Sequence, residues 1–193
     1  MVVVGLGNPG AEYAATRHNV GFMAVDALAG RLHRFTGWTR DGGMLRGRGR
    51  AGRFEALLVK PQQYMNRSGI AMKAMMAEEW NPSRILVVYD DVYLPLGTLR
   101  LRPAGGPGGH NGLESVLEVA GTTSVPRLRI GVGPAPASAD LKEYVLEPFT
   151  GDEREIVPRV IEAASQACHD AVALGLTEAM NRWNRFGKDP VEA

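Results

Sequence analysis

Hydrophobic and polar positions alternate between two rhythms along this chain. An apolar run, Met1 to Val4, reads as a strand and feeds a glycine-rich stretch from Gly5 to Asn19. Val20, Phe22, Met23, Leu28 and Leu32 then recur at helical spacing, predicting a helix over Val20 to Leu32. Phe35 to Arg53 mixes Gly and Arg with few apolar residues and suggests a twisted hairpin with a Gly-rich turn. Phe54 to Lys60 reads as a strand stopped by Pro61, and Met65 to Gly69 opens a helix to about Trp80, with Asn66 or Ser68 as its cap. Ile85 to Tyr89 is continuously apolar between turn signals, as expected of a buried central strand ending in Asp90-Asp91. Strands over Gly97 to Leu101 and Arg127 to Val132 flank a second Gly-rich loop, Ala104 to Gly112, and a short helix, Leu113 to Val119. Pro134 to Ala139 is a flexible connector. Helical patterns cover Asp152 to Leu174 and Thr177 to Asn184, and the tail from residue 187 to Ala193 is expected to fray.

Strands that alternate with helices predict one α/β domain over residues 1–193, with a twisted, mixed, largely parallel sheet and helices on both faces. Ligand sites in such sheets lie beyond the carboxyl ends of the strands. Four loops are expected there: Gly7–Asn19, Pro61–Asn66, Asp90–Pro95 and Ala104–Asn111. They deliver Asn8, His18, Asn66, Asp90, Asp91, His110 and Asn111.

Composition changes this picture little. Of the 193 residues 45% are hydrophobic, and the net charge is +1, so bulk charge selects no partner. Distribution says more: seven arginines and one acid lie between Arg31 and Arg53, and eight acids and three bases between Asp140 and Asp170. That asymmetry suits an anionic partner on one face, although charge runs more commonly only solvate a surface. The single cysteine, Cys168, excludes an internal disulfide framework and a cysteine-based zinc site. The chain starts directly in a strand pattern, without a basic n-region, and no apolar run reaches the roughly 18 residues of a membrane span. A cytoplasmic protein with no membrane contact is expected.

Gly5, Gly7 and Gly10 spell G-x-G-x-x-G, but the dinucleotide fingerprint needs a helix to start at its third glycine and an acid about 20 residues on. Here helical periodicity starts only at Val20, and Gly30, Arg31 and Leu32 occupy the later position, so nucleotide binding is disfavoured. His18 is the one side chain of the first loop that exchanges a proton near neutral pH. Each polar residue has a plain alternative: His18 as a surface group, Asp90 as a strand end, Asn66 as a cap, Asn111 as a turn residue. Their convergence from four loops favours a site. An Asp beside a His holds its tautomer, and asparagine amides suit a carbonyl or a developing oxyanion. No nucleophile elbow and no metal-ligand spacing occurs. The remaining chemistry is a histidine base acting on water, hydrolysing an ester or amide without a covalent intermediate, a metal or a cofactor. Arg100 and Arg102 alternate on one strand, as do Arg127 and Arg129 on another; paired arginines on one face suit phosphate oxygens. Backbone contact to a structured nucleic acid fits better than base reading.

These motifs resemble a known family. G-L-G-N-P-G-A-E-Y-A-A-T-R-H-N-V-G, P-Q-Q-Y-M-N-R-S-G, V-Y-D-D-V-Y-L-P-L-G, G-G-P-G-G-H-N-G-L and R-L-R-I-G-V-G are similar to those of bacterial peptidyl-tRNA hydrolase, in the family's order, over about residues 1–149. The resemblance implies a monomeric α/β enzyme that cleaves the ester between a peptide and the 3′ ribose of tRNA and recycles drop-off products. It implies His18 as the catalytic histidine, Asp90 as the acid that orients it, and Asn8, Asn66 and Asn111 as residues that position substrate and water. Tyr13 and Met65 match residues lining the peptide channel. Arg100, Arg102 and Arg129 fall where the family places a basic patch for the acceptor stem, and Leu141 to Phe149 would form a mobile lid. Tyr89 stands where many members have His, and the Gly/Arg segment Thr39 to Arg53 is less alike. The alternative is a non-catalytic RNA-binding protein of the same fold, as in some plant-organelle relatives; these carry extra targeting sequence and an exposed apolar partner surface, neither of which is evident here.

Overall fold

A computed structural model describes residues 1–187. Seven strands form one sheet: β1 Val2–Gly5, β2 Thr39–Asp41, β3 Met44–Ala51, β4 Phe54–Pro61, β5 Ile85–Pro95, β6 Leu99–Arg102 and β7 Arg127–Gly133. Their order is β2-β3-β4-β1-β5-β7-β6. The four central strands run parallel, and antiparallel pairs close both ends. Among the described residues there are six α-helices: α1 Val20–Arg31, α2 Gly69–Ala77, α3 Asn111–Ala120, α5 Glu153–Ala173 and α6 Leu176–Trp183 cover the two faces, and α4 Leu141–Leu146 lies at the cleft.

Alternation along the central strands sorts the core into two layers. Val3, Leu58, Leu86, Val88, Leu128 and Ile130 point to the side of α1, α5 and α6. Val2, Val4, Leu57, Val59, Ile85, Val87 and Tyr89 point to the side of α2 and α3. A strand buried on both faces has no polar face, which is why Ile85 to Tyr89 is unbroken in sequence. Cys168 is fully buried in the α5 layer, where burial pushes its thiol well up, so it is an inert core residue.

Glycines of the first loop and of α1 do steric work. A Cβ on Gly21 would fall on the carbonyl oxygens of Leu6 and Val88, and one on Gly5 would fall on the carbonyl of Gly21. A Cβ on Gly7 would sit 2.7 Å from the Phe22 ring. Helix α1 therefore lies directly on the β1–β5 backbone. The polypeptide after Gly10 forms 3₁₀ turns at Ala11–Tyr13 and Arg17–Asn19, and α1 starts only at Val20, so no α-helix begins at the third glycine of G-x-G-x-x-G.

Several expectations are corrected. Strand β5 does not end at Asp90-Asp91: Asp90 pairs with Ile130 and Asp91 with Gly131, and the strand continues to Pro95 after an irregularity. Side-chain polarity changes there because the strand leaves the helix-covered zone, while backbone pairing with β7 continues. Of the two cap candidates, Ser68 rather than Asn66 stands at the N-cap of α2, but its side chain makes no capping bond: Met65–Arg67 is a 3₁₀ turn, and Ser68 Oγ donates back to the Met65 carbonyl at 2.7 Å. Helix α3 starts two residues early because the His110 side chain caps it. Leu141–Leu146 is helical, capped by Asp140, although six residues are too few for periodicity to reveal. Of the tail expected to fray, only Gly187 is among the described residues, and it packs against the Gly97 backbone.

Because α1 touches the sheet through Gly21, Gly21→Ala is expected to destabilise the fold by about 1–3 kcal/mol, as overpacking does in a tight core. Denaturant unfolding checks this; a midpoint equal to wild type would show that the contact relaxes freely.

Candidate active site

The polar loops meet at the carboxyl end of the parallel strands, at the floor of a cleft of about 750 Å³. Its lining draws on the β1 loop (Asn8, His18), the β4 loop (Tyr64, Met65, Asn66), β5 (Tyr89 to Tyr93), the loop Ala104 to Gly109, and α4.

Asp90 lies at the centre, 2% exposed. One of its oxygens, Oδ1, is bonded by two imidazoles: His18 Nδ1 at 2.8 Å and His110 Nε2 at 3.0 Å. Burial by itself would raise the Asp90 carboxyl. The attraction of His110 and His18 and the hydrogen bonds from both rings outweigh burial and hold it well below the usual carboxylate range. As a carboxylate it only accepts, so both facing ring nitrogens carry protons. His110 Nδ1 accepts the Leu113 N–H at 3.0 Å, which fixes that ring's tautomer from its other side. For His18, a proton on Nδ1 leaves the Nε2 lone pair facing the cleft. The arrangement leaves His18 Nε2 as an open acceptor and holds His110 at both ring nitrogens.

Tyr89 sets the remaining wall of His110, its ring edge-on with centroids 4.7 Å apart. Burial pushes the Tyr89 phenol up to about 12, so it stays neutral.

Asn8 is 6% exposed and held at three points. Its backbone N–H donates to Asn19 Oδ1 at 2.8 Å, its carbonyl accepts Asn19 Nδ2 at 2.9 Å, and its side-chain Oδ1 accepts the Met65 N–H at 2.8 Å. That assignment turns the Asn8 amide Nδ2 to the cleft as a donor. Met65 is buried at its floor, and Asn66 and Asn111 are exposed on its lining. Tyr13, half-buried on the first 3₁₀ turn, is not part of the lining. Tyr93, 68% exposed, and Tyr64, 61% exposed, stand on the rim.

The cross-strand register places Arg100 opposite Arg129 and Arg102 opposite Arg127, so four arginines share one sheet face. They are not equivalent. Arg127 is buried and donates to the carbonyls of Val125, Thr123, Gly105 and Gly106, tying down the Gly-rich loop; it is not available to phosphate. Arg129 is paired with Asp91, whose other oxygen accepts the Tyr93 N–H. Arg100 donates to the Asn184 carbonyl at 2.7 Å. Arg102 is exposed on the cleft lining, with no carboxylate partner among the described residues.

Sequence reasoning brings His110 to the site without a specific task and gives no role to Asn19 or Arg17. H-N-G after Gly-Gly was visible, but the distance of His110 from Asp90 was not. Among the described residues, His18, Asp90 and His110 are also the group whose ligand atoms lie close enough, within 4.8 Å of one another, to hold a metal ion. Those same atoms already satisfy one another. No helix among the described residues is long and apolar enough to cross a membrane.

A carboxyl held low in the fold stabilises it above its ordinary range near 4, and that contribution is lost as pH falls through the folded value. Asp90→Asn is therefore expected to flatten the acid side of the stability profile below about pH 4. Urea midpoints across pH check this; an unchanged acid slope would mean that Asp90 is not the group being protonated.

The sequence matches the family described as Peptidyl-tRNA hydrolase over residues 2–191. A peptidyl-tRNA hydrolase of Moorella thermoacetica is 49% identical over 187 residues, spanning 95% of this chain and 97% of that protein. One of Carboxydothermus hydrogenoformans is 46% identical over 187 residues, spanning 96% and 99%. The crystal structure of peptidyl-tRNA hydrolase from Acinetobacter baumannii superposes with a TM-score of 0.88 at 33% identity, covering 96% of this chain and 94% of that one. Matched over nearly its whole length, with the fold in common and a histidine–aspartate pair at the cleft floor, this chain belongs to the peptidyl-tRNA hydrolase family and is a hydrolase.

Proposed function

We propose that the cleft hydrolyses the ester between a peptide and the 3′ ribose of tRNA, with His18 as general base. The observation that carries this reading is the 2.8 Å bond from His18 Nδ1 to the buried Asp90 carboxylate, which presents Nε2 to the cleft as an acceptor. Nε2 takes a proton from water as the water oxygen attacks the ester carbonyl. The imidazolium that forms is stabilised by Asp90. The carbonyl oxygen gains negative charge, and an amide N–H of Asn8, Asn66 or Asn111 donates to it or holds the water. Collapse breaks the carbonyl–ribose bond, and the leaving 3′ oxygen takes the proton back from Nε2. The products are a free peptide acid and tRNA. No covalent intermediate is needed.

The peptide lies along Met65 in this reading, and Leu141 to Phe149 acts as the lid. Tyr13, away from the lining, would meet the peptide only beyond the cleft. The acceptor stem crosses the arginine face. Arg102 is best placed for phosphate, because Arg129 and Arg100 are already engaged. An RNA-binding protein without catalysis is the competing reading; the intact His18–Asp90 pair favours the enzyme.

His18→Ala is expected to cut single-turnover cleavage of an N-blocked aminoacyl-tRNA by about 10²–10⁴-fold, the usual worth of a positioned base, with tRNA binding retained. Near-normal cleavage by the folded variant would overturn the mechanism. For recognition, Arg102→Ala is expected to lower the slope of log affinity against log salt by about 1 and to raise KM more than it lowers kcat. Titrations at several salt concentrations decide it, and an unchanged slope would make Arg102 a solvated edge residue.

A further inference from the structure

Arg17 immediately precedes the proposed base, yet it faces away from the cleft. Its side chain is only 3% exposed. Nη1 donates to the carbonyls of Tyr144 at 3.3 Å, Glu147 at 3.4 Å and Pro148 at 3.1 Å, and Nη2 donates to Glu153 Oε2 at 2.6 Å. The guanidinium lies 4.2 Å over the Tyr144 ring and 5.3 Å from the centre of the Phe149 ring. Its backbone N–H donates to the Glu147 carbonyl at 3.1 Å, and Thr16 forms an isolated bridge with Pro148. Nε is buried without a partner. A guanidinium is costly to bury, and it persists here because three carbonyls, one carboxylate and two rings surround it.

Tyr144 lies in the last turn of α4, Glu147 caps its C-terminus and Pro148 follows, so the three carbonyls lie at and just beyond the helix end, where partial negative charge collects. Helix α4 has six residues, far too few to hold its shape or place alone. Two tethers fix it. Arg17 holds the end that leads into α5, and Tyr144 Oη donates to the Val132 carbonyl of β7 at 2.8 Å. The opposite side of α4 presents Leu141, Lys142, Val145 and Leu146 to the cleft. Leu141 and Leu146 are 39% and 42% exposed, as apolar groups awaiting a partner would be.

We infer that Arg17 is a positioning residue that docks α4 against the base loop and so sets the apolar wall receiving the acyl side chain of the substrate. The inference rests on the ester-hydrolase reading for what the wall receives, but not for the docking itself. Adjacent residues of one 3₁₀ turn thus divide two tasks: His18 faces the reaction and Arg17 fixes the wall. Lysine at position 17 would keep the charge but not the planar fork that reaches three carbonyls and a carboxylate together.

The test compares wild type with Arg17→Gln, Arg17→Lys and Tyr144→Phe. Backbone hydrogen exchange of residues 141–148 reads the docking without any assay of activity. Exchange there is expected to accelerate in Arg17→Gln, less in Arg17→Lys, with the central strands unchanged. Cleavage of N-acetyl-leucyl-tRNA and N-acetyl-glycyl-tRNA reads the wall. KM for the leucyl substrate is expected to rise by about tenfold, the scale of one buried Leu side chain losing its contact, with the glycyl substrate little affected. The acid limb of kcat is expected to stay in place, because Asp90 still holds His18. Tyr144→Phe cuts the second tether and should give the same pattern, so the inference remains testable if the Arg17 variants fail to fold. Unchanged exchange at 141–148 would overturn the docking. An equal KM rise for both substrates, or a shifted acid limb, would overturn the wall and point to an electrostatic effect on His18. Failure of His18→Ala to slow cleavage would instead remove the base mechanism and leave the exchange result standing.

Discussion

A carboxylate removed from water must find its compensation within the protein, and Asp90 finds it in two imidazole N–H groups on one oxygen. Much of the surrounding architecture follows from that need. Its backbone stays in the sheet, paired with Ile130, so its position is set by the register of the two central strands rather than by a loop. One imidazole arrives on the turn that leads into α1, the other on the turn that leads into α3. The two helices lie on opposite faces of the sheet, so Asp90 joins the two layers at the strand ends. His110 is fixed on both nitrogens, which leaves His18 as the ring with an open acceptor.

Rigidity around this centre comes from contacts with little slack. Helix α1 rests on strand backbone through Gly21, and Asn8 is bonded through its N–H, its carbonyl and its side-chain oxygen. Arg127 uses its guanidinium to gather carbonyls from the Gly-rich loop, and Arg17 does the same for α4. In both cases one buried cation organises a stretch of backbone that has little regular structure of its own. The cleft thus has a floor of sheet and side walls held by arginines whose charge is used internally. Charge counted along the sequence overstates what is left for an anionic partner: of the four arginines on the β6–β7 face, Arg102 alone has neither a carboxylate nor a carbonyl among the described residues as its partner.

The sequence by itself determined the α/β class, the apolar central strand, both Gly-rich loops and the residue types at the cleft floor. These were legible because burial on two faces forces an unbroken apolar run, and because helical spacing and Gly/Pro punctuation are local signals. The long, ordered motifs also carried the family. Tertiary structure decided the rest. Asp90 reads as a strand end because polarity changes there, but only pairing with β7 shows that the strand continues. Six-residue α4 is too short to show a period. Arg127 and Arg102 look alike in sequence; one is bound to four carbonyls and the other is solvated, since cross-strand neighbours and loop paths separate them. His110, Asn19 and Arg17 act on groups 20, 11 and 127 or more positions away, respectively. Spacing along a chain cannot encode such partnerships, because they exist only once the sheet has brought its loops to one edge.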